Sequence, residues 1–170
     1  MATTFVGIDP GATGAIAVVP ADGSIDLFDT PTYEVLKNKK KRSVYDMVGV
    51  VKILSDVKEK HPDMRVILEE VHAMPKTGSQ GNFGSGMGYG MWLALFAALK
   101  IPFITVQPMA WKKALGVKAS AGASDTEKKN MDRLFAQQLF PKAADKLARV
   151  KDHGRADALL IAEFGRRAAA

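Results

Sequence analysis

Apolar positions in the first thirty residues fall into short runs separated by turns. Residues 4–8 and 15–19 are β-prone runs, and the turn-rich segment 9–14 lies between them. Residues 24–28 alternate apolar and polar side chains after a further turn at residues 21–23. Three short strands joined by tight turns predict an antiparallel meander.

The next apolar pattern is helical. Ser43 is positioned to cap a helix over residues 44–60, along which apolar side chains recur at helical spacing. The polar segment before it, residues 30–42, ends in Lys39-Lys40-Lys41-Arg42, and we expect it to be a mobile connection.

The second half of the chain alternates strand and helix patterns. Residues 65–71 form an apolar run interrupted by Glu69 and Glu70, which indicates a buried strand. Six glycines in residues 76–90 predict a flexible loop, and residues 91–100 predict a helix that is apolar on nearly every side. Later patterns predict a strand at 101–106, a helix at 108–115, a loop at 116–123, a helix from Ser124 or Asp125 to 139, and a last helix at 153–167. This order predicts a single α/β domain over residues 1–170, with one mixed sheet flanked by helices.

Composition is that of a soluble globular protein. The 170 residues are 47% apolar and 25% charged, and the absence of cysteine excludes disulfides, thiolate metal sites and a cysteine nucleophile. Only three histidines are present, so a metal site must rely mainly on carboxylates. The start of the chain lacks a signal-peptide pattern, and the longest apolar run, residues 91–99, is too short to cross a bilayer. We therefore expect a cytoplasmic protein with no membrane contact.

Charge is distributed unevenly along the chain. The formal net charge is +6, from 24 Lys and Arg against 18 Asp and Glu. Residues 1–36 hold five acids and no base, whereas residues 37–170 hold 24 bases and 13 acids. This pattern suits metal-binding carboxylates inside a shell that binds a polyanion, although excess lysine also serves solubility alone.

Two acidic positions lie at predicted strand ends. Asp9 ends the first strand at a Pro-Gly turn, where strand ends of α/β sheets face a ligand crevice. The alternative role of Asp9 is that of a turn former. Glu69 and Glu70 lie on opposite faces of their strand, so at most one of them joins Asp9. An unpaired buried carboxylate is costly, which favours a paired or metal-bound role.

The third acidic position lies at the start of the last helix. His153 and Asp157 are four residues apart and project from one helix face, whereas Asp152 falls off that face and suits an N-cap. Oxygen ligands with an occasional imidazole suit Mg²⁺ or Mn²⁺. Two such ions about 4 Å apart activate water and stabilise the leaving oxygen in phosphodiester hydrolysis.

Three ordered motifs carry a family resemblance that covers essentially the whole chain. Residues 7–11 (Gly-Ile-Asp-Pro-Gly), 68–71 (Leu-Glu-Glu-Val) and 156–159 (Ala-Asp-Ala-Leu) resemble those of the RuvC-type Holliday junction resolvases. Residues 153–162 look most similar to the bacteriophage-encoded branch. The resemblance implies a ribonuclease H-like fold with a five-stranded sheet, in which three antiparallel strands are followed by two parallel ones. It also implies a homodimer that nicks four-way junctions in pairs, with two Mg²⁺ (or Mn²⁺) ions per active site.

The resemblance assigns metal-binding and catalytic roles to Asp9, Glu69 and Asp157. The bacterial pattern places an acid three residues before the last one, where this chain has Gly154. On the helix geometry we expect His153 to be the substitute ligand. Asp152 remains the alternative at that position, and Glu70 the alternative on the strand.

Several further residues gain DNA-binding roles from the resemblance. Phe83 and Tyr89 in the glycine-rich segment are candidates for stacking on unpaired bases, with core packing the alternative for Tyr89. His72 has either a role near the scissile phosphate or a loop contact. The predicted phosphate contacts are Lys112, Lys113, Lys128, Lys129 and Arg155, with a solvated surface the alternative for each lysine. The Lys39–Arg42 cluster has no family counterpart and is either an accessory DNA contact or a soluble loop.

The predicted helix at residues 91–100 corresponds to the expected dimer interface. Its apolar residues Trp92, Leu95, Phe96 and Leu99 allow one face to pack on the sheet and the other on a twin helix. Two active sites related by a dyad match the near two-fold symmetry of a junction.

The expected function is a structure-selective endonuclease acting in DNA recombination, repair or phage DNA processing, in a bacterial or phage-infected cell. A phosphotransferase of the actin and sugar-kinase type needs two domains, and the sequence holds no Walker loop, so no nucleotide cofactor is expected. The remaining alternatives are another ribonuclease H-like nuclease that cuts branched DNA or RNA–DNA hybrids, and a junction-binding protein without catalysis.

Overall fold

Seven strands and five α-helices make up the computed structural model over residues 3–37, 39–75, 77–118 and 122–169. The strands are β1 (Phe5–Asp9), β2 (Ala15–Val19), β3 (Asp26–Asp29), β4 (Thr32–Lys37), β5 (Lys40–Tyr45), β6 (Arg65–Glu69) and β7 (Phe103–Val106). The α-helices are α1 (Met47–Lys60), α2 (Gly78–Ala98), α3 (Pro108–Leu115), α4 (Asp125–Leu139) and α5 (His153–Ala168). Two 3₁₀ segments, Pro141–Leu147 and Val150–Asp152, connect α4 to α5.

The main sheet has five strands in the order β3-β2-β1-β6-β7. β1 pairs antiparallel with β2, and β2 with β3, whereas β1–β6 and β6–β7 are parallel. The predicted mixed sheet with an antiparallel meander and two parallel additions is therefore confirmed. In this topology β1 and β6 lie side by side and end at the same edge, which places Asp9 and Glu69 together.

The sheet separates two hydrophobic clusters. On one face Ile8 and Leu68 pack with α1 and α2, and on the other Phe5 and Ile67 pack with α5. Helix α5 packs closely on β1 at Gly7. A Cβ at Gly7 would overlap the backbone of Ala158 and Ala162, so this contact requires glycine. No helix in the described part of the chain is both long and apolar enough to span a bilayer.

The prediction of a mobile connection over residues 30–42 is wrong, and the predicted helix over 44–60 forms only from Met47, without Ser43 as its cap. Residues 30–42 form most of a separate two-stranded hairpin, β4–β5, with Thr32 opposite Tyr45. The β-prone residues at its base favour strands over a helix start. Helix α1 instead begins after Asp46, whose side chain accepts a hydrogen bond from the Gly49 amide.

The predicted loop over residues 76–90 is also wrong where the structure describes it. Lys76 lies outside the described residues, and from Gly78 onward the segment is the first half of α2. Asn82 secures this half by exchanging two hydrogen bonds with the backbone of Met74, at 2.9 and 3.0 Å. Gly88 packs against Tyr45 of the hairpin, where a larger residue would overlap the ring. Tertiary contacts thus override the low helix propensity of glycine.

The remaining helices follow the predictions closely. Ser124 caps α4 by a capping box with Glu127, which decides between the two predicted caps. Part of the predicted loop over 116–123 lies outside the described residues, namely 119–121. Helix α5 begins at His153, as predicted.

Candidate active site

Three acidic side chains share one face at the edge where β1 and β6 end. Alternation along β1 places Asp9 on the same face as Phe5, and alternation along β6 places Glu69 on the face of Ile67. That face is covered by α5, which carries Asp157 one helical turn after its start. The sheet topology and the helix packing therefore bring Asp9, Glu69 and Asp157 together.

Burial and mutual repulsion dominate the electrostatics of these acids. Burial raises the pKa of Glu69 to about 7, with a further contribution from the charge of Asp9. Burial likewise raises the pKa of Asp9. The pKa of Asp157 lies well above its usual range because of burial and the nearby charges of Asp9, Asp132 and Glu69. The group is short of positive charge, which is the condition that favours a bound cation.

Hydrogen bonds hold the two strand acids in place. The Trp111 indole N–H of α3 donates to Glu69 Oε1 at 2.8 Å. The Gly11 amide donates to Asp9 Oδ1 at 3.4 Å. The Pro10 carbonyl, next to Asp9, accepts from the Tyr45 hydroxyl at 2.9 Å and from the Trp92 indole N–H at 3.4 Å. Both strand acids are therefore oriented by residues outside their own strands.

Glu70 does not join the acids. It points to the opposite side of β6, where Glu70 Oε1 accepts a hydrogen bond from the Thr105 hydroxyl at 2.9 Å. Its other oxygen pairs with His72 Nε2 at 3.4 Å. Alternation along β6 predicts that only one of the two glutamates faces Asp9, and Glu69 is that one.

The start of α5 distinguishes the two candidates for the fourth position. Asp152 is 3% exposed, and its oxygens accept hydrogen bonds from the Arg149 backbone amide and guanidinium at 2.7–3.2 Å. It makes no capping bond to α5. By contrast, His153 Nδ1 is buried without a hydrogen-bond partner. Burial lowers the pKa of His153, and the charge of Lys129 lowers it further, so the neutral imidazole is favoured.

Gly154 shows why an acid is absent from the position where the bacterial pattern has one. A Cβ there would overlap the carbonyl of Thr13 and lie 2.9 Å from the Gly14 Cα. The first turn of α5 rests directly on the β1–β2 turn, and this contact leaves no room for a side chain.

Sequence reasoning missed Asp132. This residue of α4 is 4% exposed, and its Oδ2 accepts from Lys112 Nζ at 2.6 Å. Its charge contributes to the raised pKa values of Glu69 and Asp157, so it lies beside the predicted acids. Helix α4 is rich in charged residues, so the sequence does not distinguish Asp132 from the other charged residues of the helix. Trp111 was missed as well, because a tryptophan in a short amphipathic helix indicates core packing.

The carboxylates and the imidazole at this site are ligand types that suit a hard divalent cation. Asp157 Oδ1 and His153 Nδ1 are buried polar atoms without hydrogen-bond partners, next to carboxylates whose charges repel one another. Within the described ranges, however, no three His, Asp or Glu side chains converge closely enough to hold one ion as they stand. The residues therefore fit Mg²⁺ or Mn²⁺ by type and charge, and binding requires their side chains to move closer together.

One cleft adjoins the acids, and a second adjoins Asp132. A cleft of about 450 Å³ runs from Asp9 and Glu69 between the base of β5 and the first half of α2. A second, of about 650 Å³, lies between α3 and α4 and is lined by four lysines. These are Lys112, Lys113, Lys118 and Lys128, of which Lys118 was not predicted.

The other predicted DNA-binding residues lie in different surroundings. Lys129 is exposed on α4, and its charge acts on Asp9 and His153. Phe83 is 73% exposed on the outer side of α2. Arg155 is engaged in a bidentate pair with Asp29 at 2.6 and 2.8 Å, which ties α5 to β3. Arg155 therefore has a structural partner that the sequence did not indicate.

Comparison with known proteins gives the same architecture. No protein-family model matches the chain. Thermus thermophilus RuvC in complex with a Holliday junction substrate superposes with a TM-score of 0.59 at 18% identity, over 99% of this chain and 96% of that one. A second structure of Thermus thermophilus RuvC gives 0.55 at 18% identity, over 99% and 97%. The yeast mitochondrial Holliday junction resolvase Ydc2 gives 0.50 at 17% identity, over 95% and 77%.

A curated relative is similar in sequence over part of the chain. The chloroplastic Holliday junction resolvase MOC1 of Chlamydomonas reinhardtii is 33% identical over 91 residues, or 54% of this chain. The match spans about a tenth of the length of that relative, at 10%. Sheet order, helix placement and superposition agree: the chain has the ribonuclease H-like fold of the RuvC Holliday junction resolvases.

Proposed function

We propose that this protein is a metal-dependent endonuclease that resolves four-way DNA junctions in recombination, repair or phage DNA processing. The observation that carries the proposal is the meeting of Asp9, Glu69 and Asp157 at one sheet edge of a RuvC-like fold, beside a lysine-lined cleft. Acids that repel one another suit cations, and the lysines suit phosphates. A related nuclease that cuts other branched DNA or RNA–DNA hybrids is the second candidate, since the same groups serve either substrate.

The metal would be held by Asp9, Glu69 and Asp157, with His153 as the fourth ligand. When bound, Mg²⁺ or Mn²⁺ supplies activation of water and stabilisation of the leaving oxygen in phosphodiester hydrolysis, with two ions per site. Trp111 keeps the Glu69 carboxylate directed into the site by its 2.8 Å hydrogen bond. Asp132 holds the Lys112 ammonium next to the acids, where it favours a DNA phosphate.

We infer a homodimer whose interface is the outer face of α2. Trp92 and Phe96 are buried in the chain's own core and are not available to a partner. The exposed face instead carries small residues at every fourth position: Gly86, Gly90, Ala94 and Ala98. A Cβ at Gly86 or Gly90 would meet nothing within 4 Å, so the chain itself gives no reason for glycine there. Each exposed helical glycine costs about 1 kcal/mol relative to alanine, and close approach of a second helix explains its presence.

Cleavage of four-way junctions is the first test. The wild-type protein should cut a labelled junction in Mg²⁺ or Mn²⁺, not in EDTA, and should bind it more tightly than linear duplex in the presence of competitor DNA. The Asp9→Asn variant should bind the junction and lose more than about 100-fold in cleavage rate, since a metal ligand is worth several kcal/mol. A gel assay on junction, RNA–DNA hybrid and duplex substrates measures both. Equal affinity for junction and duplex would leave a general nuclease.

The fourth ligand is tested by comparing His153→Ala with Asp152→Asn. We expect His153→Ala to cut junctions at least about tenfold more slowly and to recover partly as Mg²⁺ is raised, because the imidazole contributes to metal affinity. Asp152→Asn should retain the cleavage rate and lose stability, since Asp152 is committed to Arg149. Junction cleavage and thermal melting of both variants are the measurements. An active His153→Ala with an inactive, folded Asp152→Asn would reverse the assignment.

The raised pKa of Glu69 predicts how stability depends on pH without metal. The folded protein holds a proton on Glu69 up to about pH 7, whereas the unfolded chain releases it near the ordinary carboxyl value. The free energy of unfolding should therefore fall as pH rises from about 4.5 to about 7, by roughly 3 kcal/mol from this group. Urea unfolding in EDTA at several pH values measures the decline.

Two comparisons make the pH test specific. Glu69→Gln cannot ionise and still offers an oxygen to Trp111. Its free energy of unfolding should therefore fall less than that of the wild type over this pH range, by the roughly 3 kcal/mol that comes from Glu69. Added Mg²⁺ should reduce the decline in the wild type by stabilising the ionised carboxylates. Identical slopes for wild type and Glu69→Gln would show that Glu69 titrates normally.

The dimer is tested by filling the small-residue face of α2. Gly90→Leu and Ala94→Leu should raise the dimer dissociation constant at least about tenfold, because side chains there keep the second helix away. Sedimentation equilibrium measures the constant, and circular dichroism checks the fold. Ala168→Leu, an equal change on the exposed end of α5, is the matched control and should leave the dimer intact. A monomeric wild type, or two leucine variants that dimerise normally, would refute this interface.

A further inference from the structure

The β4–β5 hairpin stands outside the main sheet and carries a concentrated positive charge. Four consecutive bases, Lys39 to Arg42, occupy its turn and the start of β5, and all are exposed. Glu34 is the only acid in the hairpin. A two-stranded hairpin is marginally stable alone, and like charges crowded at its end oppose pairing. Most of this charge therefore has no stabilising role in the hairpin itself.

Strand alternation divides these bases between two faces. Lys41 lies on the same face as Glu34 and pairs with it at 2.8 Å. Lys40 and Arg42 lie on the other face, with Lys39 in the turn at a positive φ of 60°. Among the residues that the structure describes, Lys39, Lys40 and Arg42 form no ion pair. Three cations are thus available to an external partner.

The base of the hairpin is fixed to the candidate active site. The Tyr45 hydroxyl donates to the Pro10 carbonyl at 2.9 Å, and Gly88 of α2 packs against the same ring. The Asp46 amide donates to the Pro31 carbonyl at 2.9 Å, which joins the two ends of the hairpin. Ser43 and Tyr45 also line the cleft that reaches Asp9. A substrate in that cleft therefore lies against β5.

The length of β5 gives the reach of its charges. At about 3.3 Å per residue, Arg42 lies roughly 10 Å along the strand from Tyr45, and Lys40 roughly 17 Å. Duplex DNA advances about 3.4 Å per base pair, so this span corresponds to about three to five base pairs. A duplex arm that leaves the cleft along the hairpin has phosphates within that range.

We propose that Lys39, Lys40 and Arg42 bind the phosphate backbone of a duplex arm about three to five base pairs from the scissile phosphate. This inference rests on the proposed function, because it takes the cleft at Asp9 and Glu69 as the place of cleavage. A phosphate backbone is favoured over an acidic protein because the unpaired cations lie on the hairpin whose base, at Ser43, Val44 and Tyr45, lines the cleft that reaches the candidate metal ligands. The hairpin thereby fixes the direction of one arm relative to the active site.

The experiment compares two triple variants in the Asp9→Asn background, which prevents cleavage. One is Lys39→Gln, Lys40→Gln, Arg42→Gln. The control is Arg65→Gln, Lys100→Gln, Lys142→Gln, which removes the same charge from exposed residues near the opposite edge of the sheet. Fluorescence anisotropy gives the dissociation constant for a four-way junction at 50 to 200 mM salt, chosen as roughly the range in which phosphate contacts dominate.

We expect the hairpin variant to bind at least about tenfold more weakly than the control. The slope of log affinity against log salt should be smaller in magnitude by about two to three, since each lost phosphate contact removes about 0.9 from that slope. Melting temperatures of both variants should match, because the changed side chains are exposed. Equal affinities and slopes for the two variants would overturn the hairpin contact, and so would a hairpin variant that loses no more than the control.

A second measurement locates the contact without relying on the variants' fold. Single neutral methylphosphonate linkages placed along each arm should weaken wild-type binding when they lie about three to five base pairs from the cut. The same linkages should have little effect on the hairpin variant. Sensitivity at other positions only would overturn the proposed reach. A wild-type protein that cuts junctions while both tests fail refutes the hairpin contact alone, whereas one that neither binds nor cuts junctions refutes the proposed function as well.

Discussion

The close contact between α5 and β1 is the constraint on which the site depends. Gly7 lets the helix backbone at Ala158 and Ala162 rest on the strand, and Gly154 lets its first turn rest on the β1–β2 turn. These contacts set the height of Asp157 over the end of β1. A side chain at either glycine would lift the helix and separate the acids. The bare backbone at these two positions is what allows three carboxylates to meet.

Bringing the acids together has an electrostatic cost that the fold only partly offsets. Glu69 and Asp157 are half-buried near Asp9, and each has a pKa raised by burial and by the charge of Asp9. Lys112 is bound to Asp132 and moderates this charge without pairing directly with the three acids. Stability is thus given up where function requires charge, which is typical of sites that bind cations. For the proposed DNA substrate, a basic surrounding surface offsets this residual negative potential.

The sequence allowed the sheet and its acids to be predicted because these follow from period-two alternation and from the ends of apolar runs. The choice of Glu69 over Glu70 likewise needs only the parity of the strand. The errors have a common cause, since the first half of α2 and the β4–β5 hairpin are stabilised by individual side-chain contacts and not by a periodic pattern. Asn82 bonds to the Met74 backbone and Tyr45 to the Pro10 carbonyl, and neither bond leaves a local pattern. Asp132 was missed for a different reason, because its helix is rich in charged residues.

The β4–β5 hairpin and the first half of α2, which the sequence did not predict, also contact each other. Tyr45 at the base of the hairpin packs on Gly88, which lies on the inner side of α2, while Gly86 and Gly90 lie on its outer side. In the proposed dimer the outer side meets its twin, so a single helix separates each hairpin from the dyad. The position of a bound duplex arm would then be fixed relative to the second active site through one rigid element. Alternating glycines suit this arrangement, because backbone approach is needed on both sides of the same helix and only glycine permits it on both.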